Sequence, residues 1–143
     1  MTLADGGQAA IRNLYAQYAF AFDEADAAGW ASLFAPDGRF MQPGLPDLVG
    51  REQLRDFVLQ RRSAAPDMRH FTANVEIIES GAGAAHGRAY VLVLRIEGEE
   101  LQLRTMGEYD DDLVYHDGLW RFQTRRYRTW LPPRLANAAF VFA

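Results

Sequence analysis

His70, in the segment MRHFTAN, is the first candidate for chemistry in this sequence. A neutral imidazole, with an ordinary pKa of about 6.5, can accept a proton at physiological pH. The segment opens an alternating stretch that predicts a strand with His70, Thr72 and Asn74 on one face. Such a face suits either solvent or the lining of a polar cavity. A catalytic role for His70 therefore depends on a carboxylate supplied by another part of the chain.

Asp23 is the carboxylate that the N-terminal part of the chain can supply. Residues 7–28 predict a helix, because apolar side chains recur at helical spacing along one face. Asp23 falls at the margin of this face, where a carboxylate is either half buried or solvated. The position also suits an ordinary acid at a helix end. The apolar face comprises Ile11, Leu14, Tyr18 and Phe22.

Arg125 lies in the basic segment RFQTRRYRTW near the end of the chain. Alternation in a strand places Arg125 and Tyr127 on the same face. One interpretation is a solvated strand whose charges protect a sheet edge. The other is that an arginine turns inward and holds an anionic or oxygen-rich ligand.

Composition and charge limit the classes of protein to consider. The 143 residues, 49% of them hydrophobic and 24% charged, predict one globular domain over residues 1–143. A net charge of −4 argues against nucleic acid or anionic membranes as partners, and the absence of cysteine excludes thiol chemistry. No membrane span or signal peptide is recognisable, so a cytoplasmic location is expected. The three histidines show no metal-ligand spacing, and we expect neither a metal nor another cofactor.

The predicted elements follow the order α-α-β-α-β-β-β-β, which is typical of an α+β domain. Asp26 is expected to cap the second helix, Pro36–Gly38 to form a turn after it, and Asp117-Gly118 to close a hairpin. The run Asp110–Asp112 is interpreted as a solvent-exposed turn rather than a metal site. We expect a curved, mostly antiparallel sheet wrapped around the N-terminal helices as a cone-shaped barrel. The apolar C-terminal tail RLANAAFVFA could cover this pocket or a neighbouring subunit.

Four blocks of sequence resemble a known family. In chain order they are IRNLYAQYAFAFDEADAAGWASLFAPDGRF, GREQLRDFV, RHFTAN and GEYDDDLVYHDGLWRFQTRR. Together they resemble the SnoaL-like branch of the nuclear-transport-factor-2-like superfamily over roughly residues 8–130. This fold hosts many functions, so the resemblance is more specific for the fold than for a reaction.

Within this branch the pattern is similar to scytalone dehydratase, bile acid 7α-dehydratase and hexachlorocyclohexane dehydrochlorinase. These lyases pair a histidine of the first long strand with an aspartate late in the first helix, and the matching positions are His70 and Asp23. Tyr18 and Arg125 match further catalytic positions. The resemblance thus implies a cofactor-independent elimination, of the dehydratase type, on a small cyclic or aromatic hydroxy-carbonyl compound.

Residues that contact the substrate can also be predicted, and one mechanism of the superfamily is disfavoured. Asn74, Phe22 and Tyr127 are predicted to bind substrate. Gln42 stands where ketosteroid isomerase, another relative, has its catalytic carboxylate, and an amide cannot act as that base. The steroid-isomerase mechanism is therefore disfavoured, although Tyr18 matches the tyrosine that binds the oxyanion there.

Two other functions stay open. The β subunits of aromatic-ring dioxygenases share this fold and serve mainly as scaffolds, so a non-catalytic ligand-binding or scaffold subunit is one alternative. An isomerase, cyclase or hydrolase using the same pocket is the other. Relatives commonly form dimers or trimers through the exposed sheet face, so a homo-oligomer is expected as well.

Overall fold

A computed structural model describes residues 5–64 and 67–132. The predictions made for the C-terminal tail fall outside these residues. Among the described residues no helix is long and apolar enough to cross a membrane. The helices are α1 (Asp5–Asp23), α2 (Ala27–Ser32) and α3 (Arg51–Ala64), and the strands are β1 (Phe34–Met41), β2 (Leu48–Val49), β3 (Met68–Gly81), β4 (Ala84–Glu97), β5 (Glu100–His116) and β6 (Leu119–Thr129).

The six strands form one mixed sheet in the order β2-β1-β6-β5-β4-β3. Only β1 and β6 run parallel, and the other neighbours are antiparallel. The sheet curves around the N-terminal helices without closing, so β3 is left as a free edge beside α1. The predicted fold class is confirmed. The predicted hairpin is also present, because Asp117 and Gly118 both adopt the positive φ values that a tight two-residue turn requires.

The first helix ends earlier than the sequence pattern predicts, at Asp23 rather than at residue 28. Ala25 adopts a left-handed conformation with φ of 57°, and its N–H donates to the carbonyl of Phe22. The N–H of Asp26 donates to the carbonyl of Ala21, which completes a Schellman motif. Asp26 then caps α2 by accepting from the N–H of Gly29, as expected. These two motifs place Asp23 at the last residue of α1.

The segment Pro36–Gly38 lies within β1 and is not the predicted turn. Its residues are accommodated by an irregularity in the pairing with β6, between Phe34 and Arg39. The two-residue strand β2 was not predicted either, because a segment this short carries no periodic pattern. The structure therefore contains one more strand before α3 than the sequence predicts.

The core lies between α1, α2 and the inner face of the sheet. Its centre is aromatic, and the ring of Tyr18 packs within 5.2–6.3 Å of four other rings, centroid to centroid. The contacts with Tyr109 and Phe122 are edge-to-face, a geometry that adds stabilisation beyond burial of area alone. The four rings belong to Trp30, Phe34, Tyr109 and Phe122.

Candidate functional site

The end of α1 and the start of β3 bring Asp23 and His70 into direct contact. His70 Nδ1 lies 2.6 Å from Asp23 Oδ1, and the backbone N–H of His70 donates to Asp23 Oδ2 at 2.8 Å. The second bond satisfies a donor on the free edge of β3, and it fixes the carboxylate relative to the strand. An Nδ1–H that donates to Asp23 leaves the lone pair of the imidazole at Nε2.

This pair is shielded from solvent. The side chain of His70 has no exposed surface, and that of Asp23 is 8% exposed. Phe22 packs edge-on against the imidazole, with the ring centroids 5.0 Å apart. A hydrogen bond to a carboxylate is stronger in such surroundings than in water. The structure thus brings the two predicted residues together, and their catalytic role stays a prediction.

A cavity of about 530 Å³ runs between α1 and β3, next to this pair. Asp23 and His70 line one part of it, and Arg12 lines another, with its Nη1 donating to the carbonyl of Val75 at 2.8 Å. The walls between them are largely apolar. The volume is within the range of sites that bind small organic molecules. The apolar walls are formed by Tyr15, Ala16, Ala19, Phe20, Phe71 and Val75.

Arg125 does not line this cavity. It is fully buried in the core, where its Nε and Nη2 donate to the two oxygens of Asp111 at 2.9 and 2.8 Å. Burial alone would lower the pKa of the Arg125 guanidinium, but the charge and hydrogen bonds of Asp111 outweigh burial, so this pKa is raised. The guanidinium carbon also lies 3.7 to 4.8 Å from four ring centroids, those of Tyr15, Tyr18, Tyr109 and Phe122.

Tyr15 connects this buried ion pair to the cavity. Its hydroxyl donates to Asp111 Oδ2, while its ring forms part of the cavity wall. Burial, and then the charge of Asp111, raise the pKa of Tyr15 well above its ordinary value, so it stays protonated. Gly87 makes room for this hydroxyl, since a Cβ there would overlap Tyr15 Oη.

Neither Tyr15 nor Asp111 was predicted from the sequence as a site residue. Asp111 was interpreted as part of a solvent-exposed turn, and this is wrong, because it lies within β5 and has no exposed surface. The signal that could have found it is alternation, since Tyr109, Asp111 and Leu113 share the buried face of the strand. Three consecutive aspartates hid this signal.

Tyr18 also lies in the core and away from the cavity. It has no exposed surface, and its ring is 4.2 Å from the Arg125 guanidinium carbon. Burial raises the pKa of Tyr18 to about 12, an effect that the charge of Arg125 partly offsets. Tyr18 is therefore a neutral phenol at physiological pH.

The three residues predicted to bind substrate lie in three different places. A β-bulge between Ala73 and Glu76 ends the strict alternation of β3, and Asn74, with φ of 56°, lines a separate depression of about 200 Å³ with Glu76 and Arg88. Phe22 is buried against the His70 ring. Tyr127 is buried on the inner face of the sheet, where its hydroxyl is hydrogen-bonded to that of Thr105.

Solved structures with a similar fold include proteins of several descriptions. A variant of a Mycobacterium tuberculosis protein of unknown function is 30% identical, with a TM-score of 0.80, covering 87% of this chain and 72% of that one. A candidate scytalone dehydratase from Novosphingobium aromaticivorans is 23% identical, with a TM-score of 0.78 and coverages of 87% and 84%. The β subunit of a candidate aromatic-ring-hydroxylating dioxygenase from the same organism is 22% identical, with a TM-score of 0.76 and coverages of 87% and 90%.

No curated protein sequence matches the chain. The two Novosphingobium structures are too distant in sequence to support more than the shared fold. The sequence model of the SnoaL-like domain, by contrast, matches residues 7–126, which is most of the chain and includes Asp23, His70, Asp111 and Arg125. The protein therefore belongs to the SnoaL-like domain family.

Proposed function

We propose that this protein is a cofactor-independent lyase that eliminates water from a small cyclic or aromatic hydroxy-carbonyl compound. The observation that carries the proposal is the buried contact of 2.6 Å between His70 Nδ1 and Asp23 Oδ1. A histidine held in one tautomer by a carboxylate is a general base whose lone pair has a fixed direction. The candidate scytalone dehydratase with the same fold is consistent with this class of reaction.

In the proposed reaction His70 Nε2 takes the proton from the carbon α to the carbonyl group. The electrons of that C–H bond form the C=C bond, and the C–O bond to the β-hydroxyl breaks. The proton held by His70 is then passed to the departing hydroxyl, which leaves as water. Asp23 stabilises the imidazolium that exists between the two proton transfers, because its negative charge lies against Nδ1–H.

Burial of the His70 imidazole sets a condition on this reaction. Because the His70 side chain has no exposed surface, substrate binding has to part the side chains packed against the ring. Phe22 is one of these, so it is placed to contact a bound substrate. Arg125 would act from within the core, through the network that ends at Tyr15 on the cavity wall, and Tyr18 would act through the contact of its ring with the Arg125 guanidinium.

The cavity supports the proposed substrate class. Its walls are mostly apolar and include the rings of Tyr15, Phe20 and Phe71, which suit a flat or cyclic molecule. A few polar groups at its ends, among them Arg12 and Asp23, provide places for oxygen substituents.

Turnover of a panel of cyclic β-hydroxy-ketones, followed through the ultraviolet absorbance of the enone product, tests the proposal. We expect His70→Gln to lower kcat by about 10² to 10⁴-fold, the usual contribution of a general base, and Asp23→Asn to lower it as well. His86→Gln is the matched control, because His86 also lies near an aspartate, Asp110 at 3.3 Å, but on the exposed face. Equal activity of all three variants would refute the assignment of the base.

A non-catalytic subunit is the second candidate function. Complete burial of the His70 side chain favours it, because a base must be accessible to its substrate. The likeness of fold to a dioxygenase β subunit is consistent with this alternative. It predicts that ligands bind without turnover and that Asp23→Asn changes stability only. An isomerase or cyclase would instead use the same base, and its product would keep the mass of the substrate, which mass spectrometry distinguishes from loss of water.

We also propose that the protein forms a homo-oligomer through the outer face of the sheet. One end of this face is apolar and exposed, with Met106 at 38% and Leu101 at 66%. Leu92 pairs with Met106 across β4 and β5, Leu94 pairs with Leu103, and Trp130 lies beside Met106. A contiguous exposed apolar patch is typical of an interface. Light scattering should show that Leu103→Glu dissociates the oligomer whereas Leu59→Glu, on α3, does not.

A further inference from the structure

Arg12 lies at the end of the cavity opposite to the pair of His70 and Asp23. Arg12 and Asp23 belong to the one face of α1 that lines the cavity, and they are separated by about 16 Å along the helix axis. The cavity therefore has a cation at one end, the candidate base at the other, and an apolar body between them. On α1 this apolar body is formed by Ala16, Ala19 and Phe20.

The guanidinium of Arg12 is held in place by β3. Its Nη1 donates to the carbonyl of Val75 at 2.8 Å. Val75 lies in the bulge between Ala73 and Glu76, where the pairing with β4 is interrupted, so its carbonyl can accept a bond from α1. The bond to Nη1 leaves Nε–H and Nη2–H as two parallel donors on one side of the guanidinium. A carboxylate accepts from such a fork with both of its oxygens.

No acid neutralises Arg12 within the described part of the chain, where its one polar contact is with the carbonyl of Val75. Other exposed arginines are paired with an acid on an adjacent strand. The charge of Arg12 is therefore available to a ligand, and a single positive charge matches a singly charged carboxylate better than a doubly charged phosphate. The paired arginines are Arg88 with Glu76, Arg126 with Asp112 and Arg128 with Glu108.

The other end of the cavity carries charge of the opposite sign. Asp23 and Glu24 line it, together with Arg69, whose Nη1 donates to the carbonyl of Met68 at 2.7 Å. Two carboxylates and one guanidinium leave this end with one net negative charge while the imidazole of His70 is neutral. An anionic group on a ligand is therefore repelled from the His70 end and attracted to the Arg12 end.

We propose that Arg12 binds a carboxylate of the substrate, which is therefore an amphipathic hydroxy-carbonyl acid. Val75 and His70 are five residues apart on β3, or about 16 Å in an extended strand. With a contact of about 3 Å at each end, about 10 Å separates the carboxylate from the carbon deprotonated by His70. The inference rests on the proposed function for the identity of that carbon, whereas recognition of the carboxylate is tested by binding alone.

Binding of two probes, 6-(3-carboxypropyl)-1-tetralone and its primary amide, tests this role of Arg12 by calorimetry. The probes have the same shape and differ in one negative charge at the end remote from the ketone. We expect wild-type protein to bind the acid about fivefold more tightly than the amide at low salt, with a smaller preference as salt is raised, because Arg12 is exposed. Arg12→Gln should abolish this preference while leaving the affinity for the amide unchanged.

Three further variants serve as controls. Arg55→Gln removes the same charge from α3, outside the cavity, and should retain the full preference for the acid. His70→Gln should also retain it, so loss of turnover and loss of carboxylate recognition are independent results. The inference is overturned if wild-type protein does not favour the acid, or if Arg12→Gln keeps the preference. Loss of the preference in Arg69→Gln would also overturn it, because the carboxylate would then lie at the His70 end.

Discussion

Replacing Asp111 by asparagine should destabilise the protein more than any other isosteric change in the sheet. The carboxylate accepts hydrogen bonds from Nε and Nη2 of Arg125 and from the hydroxyl of Tyr15, and none of the three residues is more than 2% exposed. Asparagine keeps the shape but removes the charge. Arg125 would then remain as a buried cation without a counter-charge.

The magnitude follows from the burial of the pair. Removing one partner of a buried ion pair typically costs about 3–5 kcal/mol, against a total stability of about 5–15 kcal/mol for a domain. With a urea dependence of about 1–3 kcal/mol per molar, the unfolding midpoint should fall by at least about 1 M. Asp111→Leu combined with Arg125→Met should recover most of the loss, because no charge then remains buried.

Asp112→Asn provides the control on the adjacent residue. Asp112 accepts from Arg126 Nη2 at 2.8 Å, the same distance as in the buried pair, but these side chains are 50% and 43% exposed. An exposed pair contributes at most about 1 kcal/mol. Urea unfolding followed by circular dichroism compares the two variants directly. Equal midpoints for Asp111→Asn and Asp112→Asn would show that burial does not set the strength of this network.

Three further changes test the packing around the site. Stability should fall as pH rises from about 10 to 12, because the pKa of Tyr18 in the folded protein lies above its value in the unfolded chain. Tyrosinate absorbance should rise together with unfolding, and Tyr18→Phe should reduce this loss of stability. Ala25→Gly should raise the free energy of unfolding by about 1 kcal/mol, since only glycine adopts positive φ without cost, whereas Ala28→Gly within α2 should lower it. Gly87→Ala should lower the thermal midpoint by displacing the Tyr15 hydroxyl.

Much of the fold could be predicted because its elements obey simple periods. Apolar side chains alternate along the long strands and recur at helical spacing in α3. The Asp117-Gly118 pair is a residue combination typical of a tight hairpin turn. The end of α1 could not be found in this way. Alanine at position 25 adopts a left-handed conformation that usually indicates glycine, so the chain carries no local sign of the Schellman motif.

The candidate site was predictable only as far as the pairing of one histidine with one aspartate. Resemblance supplied Asp23 and His70, and the hydrogen bonds between them follow from how α1 ends beside the free edge of β3. Alternation predicts Asn74 on the same strand face as His70, but it fails at the bulge between Ala73 and Glu76, where Asn74 itself adopts a positive φ. Tertiary contacts, and not local pattern, decide such positions.

In the proposed elimination, the buried location of Arg125 limits what its charge can do. A guanidinium at the cavity surface would bind a leaving group directly, but here both oxygens of Asp111 neutralise it within the core. Its effect on a substrate is therefore indirect, through the fixed hydroxyl and ring of Tyr15. A variant that removes both charges together should then keep its kcat if Tyr15 stays in place. A large loss of kcat in a stable double variant would mean instead that the guanidinium itself reaches the reacting atoms.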